Sequence, residues 1–427
     1  MRNGVKIKSS LLGLVLMCLL YTPAWATRYW VATTGSDAIS CATAAGATDP
    51  GAGHYKLTAA GGAACLTVAG DRLTIKAGTY SNAEIWGISV KQGVAGNPTI
   101  IEGEGIANTK LLLNDHALTI GFSDATVPSY ITIRLMELDG INMTGKTDCV
   151  RFAYNNDAVT GTGNLVEDVL IHNCGDNGVF TTISINATRL NRVESHHNGR
   201  IPPGGPSGHG FYLEGNNVIV ENGSFHDMTN TQSGGGQCFA SPAGIRADNC
   251  IMRNNIFYNN TFGATFDGNN IQAYNNIFHD SLGDALTFGF ESATSGNLIA
   301  NNTFYHNAGY AIIVGIFAAS NNATLINNLI ANTNTINILS GSTGTVQTTN
   351  VTGAPATITN CTVSTSDFHL KAGAPCIDAG TTVSAVTTDF DGNARPMGAA
   401  YDVGAYEFGS SPPPPSPPAA PTGLRIQ

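Results

Sequence analysis

Short runs that alternate apolar and polar residues recur through the middle of the chain. Tyr130-Ile131-Thr132-Ile133, Leu165–Ile171 and Thr188–Val193 are three of them, and period-two alternation marks half-buried strands. Farther on, four Asn-Asn doublets each precede a short β-prone pair: Asn254-Asn255, Asn275-Asn276, Asn301-Asn302 and Asn327-Asn328. Their first members lie 21, 26 and 26 residues apart (275−254, 301−275, 327−301). A period of this size, built from strands and Asn/Gly turns with no helical pattern between, predicts an all-β solenoid of parallel strands, one coil per repeat. Asn at one corner of successive coils can hydrogen-bond to the Asn above and below. The coils are expected over 98–366, with the clearest members ending near Thr349.

The chain opens with Arg2, Lys6 and Lys8, then the apolar run Leu11–Tyr21, then Ala24-Trp25-Ala26. That is the pattern of a secretory signal peptide over 1–26, too short to span a membrane. Without it, 17 Lys+Arg (20 less 3) face 30 Asp+Glu, a net charge near −13. No basic stripe is present, which speaks against nucleic-acid binding. The acidic balance also disfavours direct capture of a polyanion, unless a cation such as Ca²⁺ mediates. Eight cysteines remain, in neighbouring pairs: Cys41/Cys65, Cys149/Cys174, Cys238/Cys250 and Cys361/Cys376. An exported chain with an even count and no C-x-x-C points to disulfides. Cys149 and Cys174 are 25 apart, about one coil, as a rung-to-rung bridge requires.

Two segments near the start carry a resemblance. Tyr29-Trp30-Val31-Ala32-Thr33-Thr34-Gly35-Ser36-Asp37 and Gly70-Asp71-Arg72-Leu73-Thr74-Ile75-Lys76-Ala77-Gly78-Thr79-Tyr80 resemble the opening of secreted right-handed parallel β-helix proteins of the pectate-lyase-like superfamily. The resemblance implies a right-handed β-helix, with 27–97 as N-terminal cap and first strands. It specifies no activity, because enzymes and non-enzymes share the fold. Residues 367–408 resemble the closing segment of bacterial secreted β-helix proteins and are expected to cap the last open rung. From 409 to 427 the chain is a Pro-rich linker and tail. Its end resembles the first strand of a fibronectin-type-III module, as a truncated chain or a remnant would leave.

The Asn corner serves as a ruler for chemistry. Eight residues before Asn222, Asn254 and Asn275 stand Glu214, Arg246 and Asp267, predicting an acid–base–acid column with rungs about 4.8 Å apart. A structural salt-bridge column is the competing reading. The coils around this column are overlong, 31 and 32 residues from Asn191 to Asn222 and on to Asn254, and loops on a rigid scaffold concentrate function. The excess falls in His197–Gly208 and Met228–Ala243. The segment also holds His196, His197, His209 and His226, with Arg200 and Tyr212.

A lyase acting on uronic-acid polymers needs a carboxylate clamp, a base and an acid. The candidates are His209 or His226 as base, Tyr212 as acid and Arg246 as clamp. Glu214, Asp267, His197 and Arg200 are then the binding residues, with Glu214 and Asp267 able to orient the clamp or hold a cation. Lys146 is the one lysine between residues 131 and 370, so lyases of this fold with a Lys base are not matched, nor is the clustered-Asp pattern of polygalacturonases. The expected protein is a monomer, secreted, periplasmic or at the cell surface, that binds or processes polysaccharide. The alternative is a non-catalytic adhesive β-helix.

Overall fold

The structure is a computed structural model that describes residues 26–121, 127–153, 159–200, 208–229, 234–238 and 247–409, the last two residues of 234–238 by backbone alone. The expected signal peptide, apart from Ala26, and the Pro-rich tail beyond Gly409 therefore lie outside the described residues. Strand pairing is parallel throughout the main ladder, and each coil of its second half contributes three strands. In one coil these are Ile251–Arg253, Ile256–Tyr258 and Phe262–Phe266; in the next, Gln272–Tyr274, Ile277–His279 and Leu286–Phe288. The three faces so generated are called the A, B and C sheets. Among the described residues no helix is long and apolar enough to cross a membrane.

The corners explain the Asn content. Between A and B strands one residue per coil takes a left-handed backbone: Leu135, Asp168, Arg192, Asn222, Asn254, Asn275, Asn301, Asn327 and Thr349, with φ between 52° and 58°. Asn and Asp tolerate this region better than other non-glycine residues. In the corner before the Asn222 coil the left-handed residue is Arg192, one position beyond the expected Asn191, and Asn191 instead pairs with Glu221. The second Asn of each doublet turns inward. Asn255, Asn276, Asn302, Asn328 and Asn350 form a ladder in which each Nδ2 donates to the next Oδ1 at 2.9–3.0 Å. The bore is packed beside it by Phe225, Phe257, Phe278 and Phe304, whose rings stack 5.2, 4.8 and 5.1 Å apart.

The Gly run 234–236, expected as part of a loop, is the start of the C strand Gly234–Cys238. Its glycines are required by a neighbour: a Cβ on Gly236 would fall inside the ring of Phe211 one coil away. At the N-terminal end the solenoid ladder already begins at Arg28–Val31, paired with Arg72–Ile75. A short helix, Ala59–Ala63, packs there, N-capped by Thr58 accepting from Gly61 N–H.

The C-terminal segment lies along the coils rather than only across the last rung. Asn275 donates to Thr388 O, Asn301 to Asp402 O and Asn327 to Thr381 O, three successive corners held by one strap. Val383, Val386 and Tyr401 cover Tyr274 and Ala300, while Phe368, Leu370 and Val403 cover Ile277, Leu329 and Ala331. Disulfides join Cys41–Cys65, Cys149–Cys174 and Cys361–Cys376, and the second is the expected rung-to-rung bridge. Cys250 is a buried free thiol; the side chain of Cys238 lies outside the described residues. Three disulfides fit an oxidising, extracellular setting.

Candidate functional site on the C sheet

Alternation along the C strands sends Val150, Val179 and Phe211 into the core and leaves Arg151, Phe180 and Tyr212 pointing outward in register. The Arg151 guanidinium sits 4.9 Å over the Phe180 ring, and Phe180 lies 5.7 Å from Tyr212. The strand entrances form a second row. Asn177 donates through N and Nδ2 to the buried Asp148 carboxylate at 3.1 and 2.8 Å, and His209 N donates to Asn177 Oδ1 at 2.9 Å. Burial raises the Asp148 carboxyl, against the pull of Arg151 and Asn177.

Asp176 precedes Asn177 at the strand entrance, within electrostatic reach of Asp148, Arg151 and Tyr212. Its N–H donates to Thr147 O and its carbonyl accepts from Gly199 N–H, so the backbone is held on both sides. Its half-buried carboxyl has no ion pair or hydrogen bond among the described residues. Burial, then the Asp148 charge, raise it to about 6, with Lys146 and Arg151 pulling the other way. The neighbouring Tyr212 hydroxyl is pushed well above its usual range by burial first, then by Glu214, Glu291, Asp267 and Asp176. Tyr212 therefore remains a proton donor near neutrality. Asp176 was not singled out from sequence, although Asn177-Gly178-Val179-Phe180 aligns with His209-Gly210-Phe211-Tyr212 and points to it.

His209 is almost wholly buried, and its Nδ1 accepts the Gly234 N–H at 2.9 Å. Burial lowers it to about 4. The imidazole is thus neutral and its Nδ1 is occupied, 5.9 Å from Tyr212 ring to ring, which suits a support for Tyr212 better than a free base. Asp267 is fully buried and accepts Phe290 and Glu291 N–H, both at 2.6 Å. Desolvation still raises it to about 6. Glu214 follows Leu213 at the same strand edge. Arg246 lies outside the described residues. The residues after it keep the expected register with the neighbouring coils, Asp248 N donating to Asn216 Oδ1 at 2.8 Å and Asn269 N to Asp248 Oδ1 at 2.7 Å.

The other candidates sit on a different face. His226 ends a B strand, in register with His196 and His172 above and Tyr258 below. The rings stack at 4.9, 5.0 and 4.5 Å. His226 bonds Asp227 at 2.7 Å and Glu194 at 3.4 Å. Burial opposes protonation of His226, but these carboxylates outweigh it and raise the group. His196, beside two other imidazoles, is lowered to about 4, by burial first and then by His172 and His226. His197 takes the left-handed corner at φ 54° and meets His196 Nδ1. Arg200 bonds the carbonyls of Gly140, Met143 and Asn173, which ties a loop to the preceding coil. His226, His197 and Arg200 therefore do not converge with His209 and Tyr212.

Glu137, Asp139 and His172 bring ligand atoms within 4.8 Å of one another. Lys110 Nζ lies 2.7 Å from both carboxylates, so the trio is an ion-pair network holding its own cation.

No protein-family model matches the chain, and no curated protein sequence matches it. Solved structures do. A pectate lyase, Pel9A, superposes with a TM-score of 0.59 at 15% identity, covering 90% of this chain and 98% of that one. XylC in complex with xylose superposes at 0.53 and 12% identity, covering 79% and 78%. The fold is a right-handed parallel β-helix. The overlong stretches fall in sequence before the C strands Phe211–Leu213 and Gly234–Cys238 and after the latter, and the greater part of each lies outside the described residues. At identities this low the likeness carries the architecture, and the chemistry rests on the side chains above.

Proposed function

We propose that the protein binds an extracellular polysaccharide across the outer C sheet, with Asp176 and Tyr212 handling protons in a lyase-like step. The observation that carries this is a half-buried carboxyl, without an ion pair or hydrogen bond among the described residues and raised to about 6, near the protonated Tyr212 of the Arg151–Phe180–Tyr212 row. Aromatic faces and a guanidinium suit a sugar ring and its polar substituents. Asp176 would accept the proton of the substrate carbon, and the Tyr212 hydroxyl would serve the leaving oxygen. A pectate lyase and a xylose complex among proteins of this fold support the substrate class. Binding without turnover is the second reading, favoured by the engagement of His209, Arg200 and Asp267 in structural hydrogen bonds.

The test is to incubate the protein with charged and uncharged polysaccharides, with and without Ca²⁺, and follow unsaturated products and new reducing ends. Asp176→Asn should lower any turnover at least about a hundredfold while leaving binding in place. Unchanged turnover removes Asp176 from the mechanism; binding with no turnover leaves the second reading; no binding to any polysaccharide defeats both.

The same variant has a stability signature. The folded Asp176 carboxyl, raised from 3.8 to about 6, holds a proton that the unfolded chain has lost between those pH values. Stability therefore falls as pH rises through that window. Asn removes this loss, so the variant should gain about 1–2 kcal/mol at pH near 8, after discounting for solvent screening. Denaturant unfolding at pH near 4 and 8 measures it, and an equal effect at both pH values would refute the assignment.

A further inference from the structure

The A sheet gathers arginine in a chain that is acidic as a whole. Eight A strands, from Arg28–Val31 to Ile251–Arg253, pair in one parallel ladder, about 34 Å long at the spacing of stacked strands. One register row carries Glu102, Arg134, Glu167, Asn191, Glu221 and Arg253. Arg28, Arg72 and Arg189 stand two positions before that row on their own strands.

Five arginines therefore share the strand face with three glutamates. Glu102 meets Arg28, Arg72 and Arg134 at 3.5, 3.5 and 2.8 Å. Glu167 meets Arg134 at 3.4 Å, and Glu221 is held by Arg189 and Arg253. Depth separates the two signs. The glutamate side chains are 3–18% exposed and the arginine side chains 27–48%, so carboxylates form the floor and guanidiniums the surface. Burial lowers the Arg72 guanidinium; Glu102 opposes this, while Arg28 and Arg134 add to it, because three cations crowd one carboxylate. At the strand ends the arginine surplus stops: Arg192 is matched by Asp168, and Lys76 by Asp49 and Glu104. Past Arg253 the face is covered, with Tyr274 and Ala300 packed against Val383, Val386 and Tyr401 of the strap.

A guanidinium carries five N–H donors in a planar fork, so one already bonded to a floor carboxylate keeps donors for an anion above it. The surplus is two charges along about 34 Å. That is too sparse for a nucleic-acid duplex, with a negative charge every ~1.7 Å, and the three disulfides fit an extracellular setting. A linear polysaccharide with carboxylates spaced along it fits both the line of donors and the setting. We propose that the outer A face is a second docking surface, which holds a carboxylate-bearing polysaccharide through its outward guanidiniums. Whole-chain charge, which speaks against polyanion capture, averages over this segregation. The face lies on a different sheet from Asp176 and Tyr212, so the proposal stands whether or not the C sheet performs the reaction above.

The experiment measures retention of the full chain on immobilised alginate and polygalacturonate across salt, with galactomannan as neutral polymer and duplex DNA as a second polyanion. Wild type should bind the carboxylated polymers at low salt, leave galactomannan unbound under the same conditions or bind it without salt dependence, and elute as salt screens the contacts. Arg28→Gln, Arg72→Gln and Arg189→Gln combined leave Glu102 on Arg134 and Glu221 on Arg253, so the unfolding midpoint should change little. This variant should bind on the order of tenfold more weakly and with a shallower salt dependence, the size of a few exposed ion pairs. Lysine at the same three positions should restore most of the affinity, which separates charge from a folding defect. Equal retention of the glutamine variant and wild type overturns the A face, as does no retention on either carboxylated polymer at low salt. Tighter retention on duplex DNA overturns the class of partner. Product formation from short oligosaccharides reports on the C sheet separately: retention that the glutamine variant loses, without turnover by wild type, defeats the reaction and leaves the docking surface.

Discussion

Replacing Arg395 with Met is expected to destabilise the protein by about 3–5 kcal/mol, the cost of leaving a buried carboxylate without its partner. Arg395 and Glu407 form an ion pair at 2.6 Å with both side chains wholly inaccessible. The guanidinium also donates to Asn275 Oδ1 and to the carbonyls of Thr388, Asp402 and Gly404. Glu407 in turn accepts the N–H groups of Met397 and Asp402. One residue therefore ties the C-terminal strap to itself and to the coil at Asn275. Burial pushes the Glu407 carboxyl up even with Arg395 present, and removal of the cation pushes it further. The variant's deficit should consequently shrink as pH falls and Glu407 takes a proton, since a raised folded pKa costs stability as pH rises through it. Arg395→Met with Glu407→Gln should recover much of the loss. Denaturant unfolding across pH decides the matter; a single-variant loss below about 1 kcal/mol would place this pair with exposed ion pairs.

Glu407 and Asp402 of this C-terminal segment thus act in structure, but the segment's placement was not legible. A closing motif announces that coils end; it does not say that the strap returns along three corners, because those contacts span about a hundred residues of sequence. The solenoid itself was legible because the same local physics repeats in each coil. The left-handed corner favours Asn, and the inward Asn saturates its neighbours, so a doublet marks both at once. Where another residue fills the corner, as Arg192 does beside Asn191, the mark disappears.

At the candidate site the ruler meets an insertion. From the last C-strand residue to the C–A corner is four residues for Leu213 to Asn217 and for Phe266 to Asn270, but eleven for Cys238 to Asn249. The corner itself keeps register through Asp248 with Asn216 and Asn269, and Arg246, just before it, lies outside the described residues. The histidines clustered in sequence but are divided between two sheets, since B and C strands of one coil face different ways. Tyr212 was found because it lies among the histidines of the overlong segment; Asp176 was missed because an isolated Asp before Asn-Gly looks like a turn.

The doublets also predict two opposite mutational outcomes within one motif. Asn302 is fully buried; its Oδ1 accepts Asn276 N and Nδ2 at 2.9 and 3.0 Å, and its Nδ2 donates to Ala273 O and Asn328 Oδ1 at 2.9 and 3.0 Å. Asn302→Ala leaves four buried bonds without a partner, so a loss of about 3–5 kcal/mol is expected, at 1 kcal/mol or more for each. Asn254 holds the corner at φ 55°, and its half-buried side chain makes only two long bonds, Nδ2 donating to Asn222 Oδ1 at 3.3 Å and Oδ1 accepting from Asn275 Nδ2 at 3.2 Å. Asn254→Gly should cost under about 1 kcal/mol, because glycine reaches that region freely, whereas Asn254→Val should cost more than glycine by about 1–2 kcal/mol through backbone strain alone. Unfolding midpoints of the three variants separate a hydrogen-bond role from a conformational one. If Asn302→Ala and Asn254→Gly cost the same, the division of labour within the doublet is wrong, and the ladder would be an ornament of the corner rather than what holds successive coils in register.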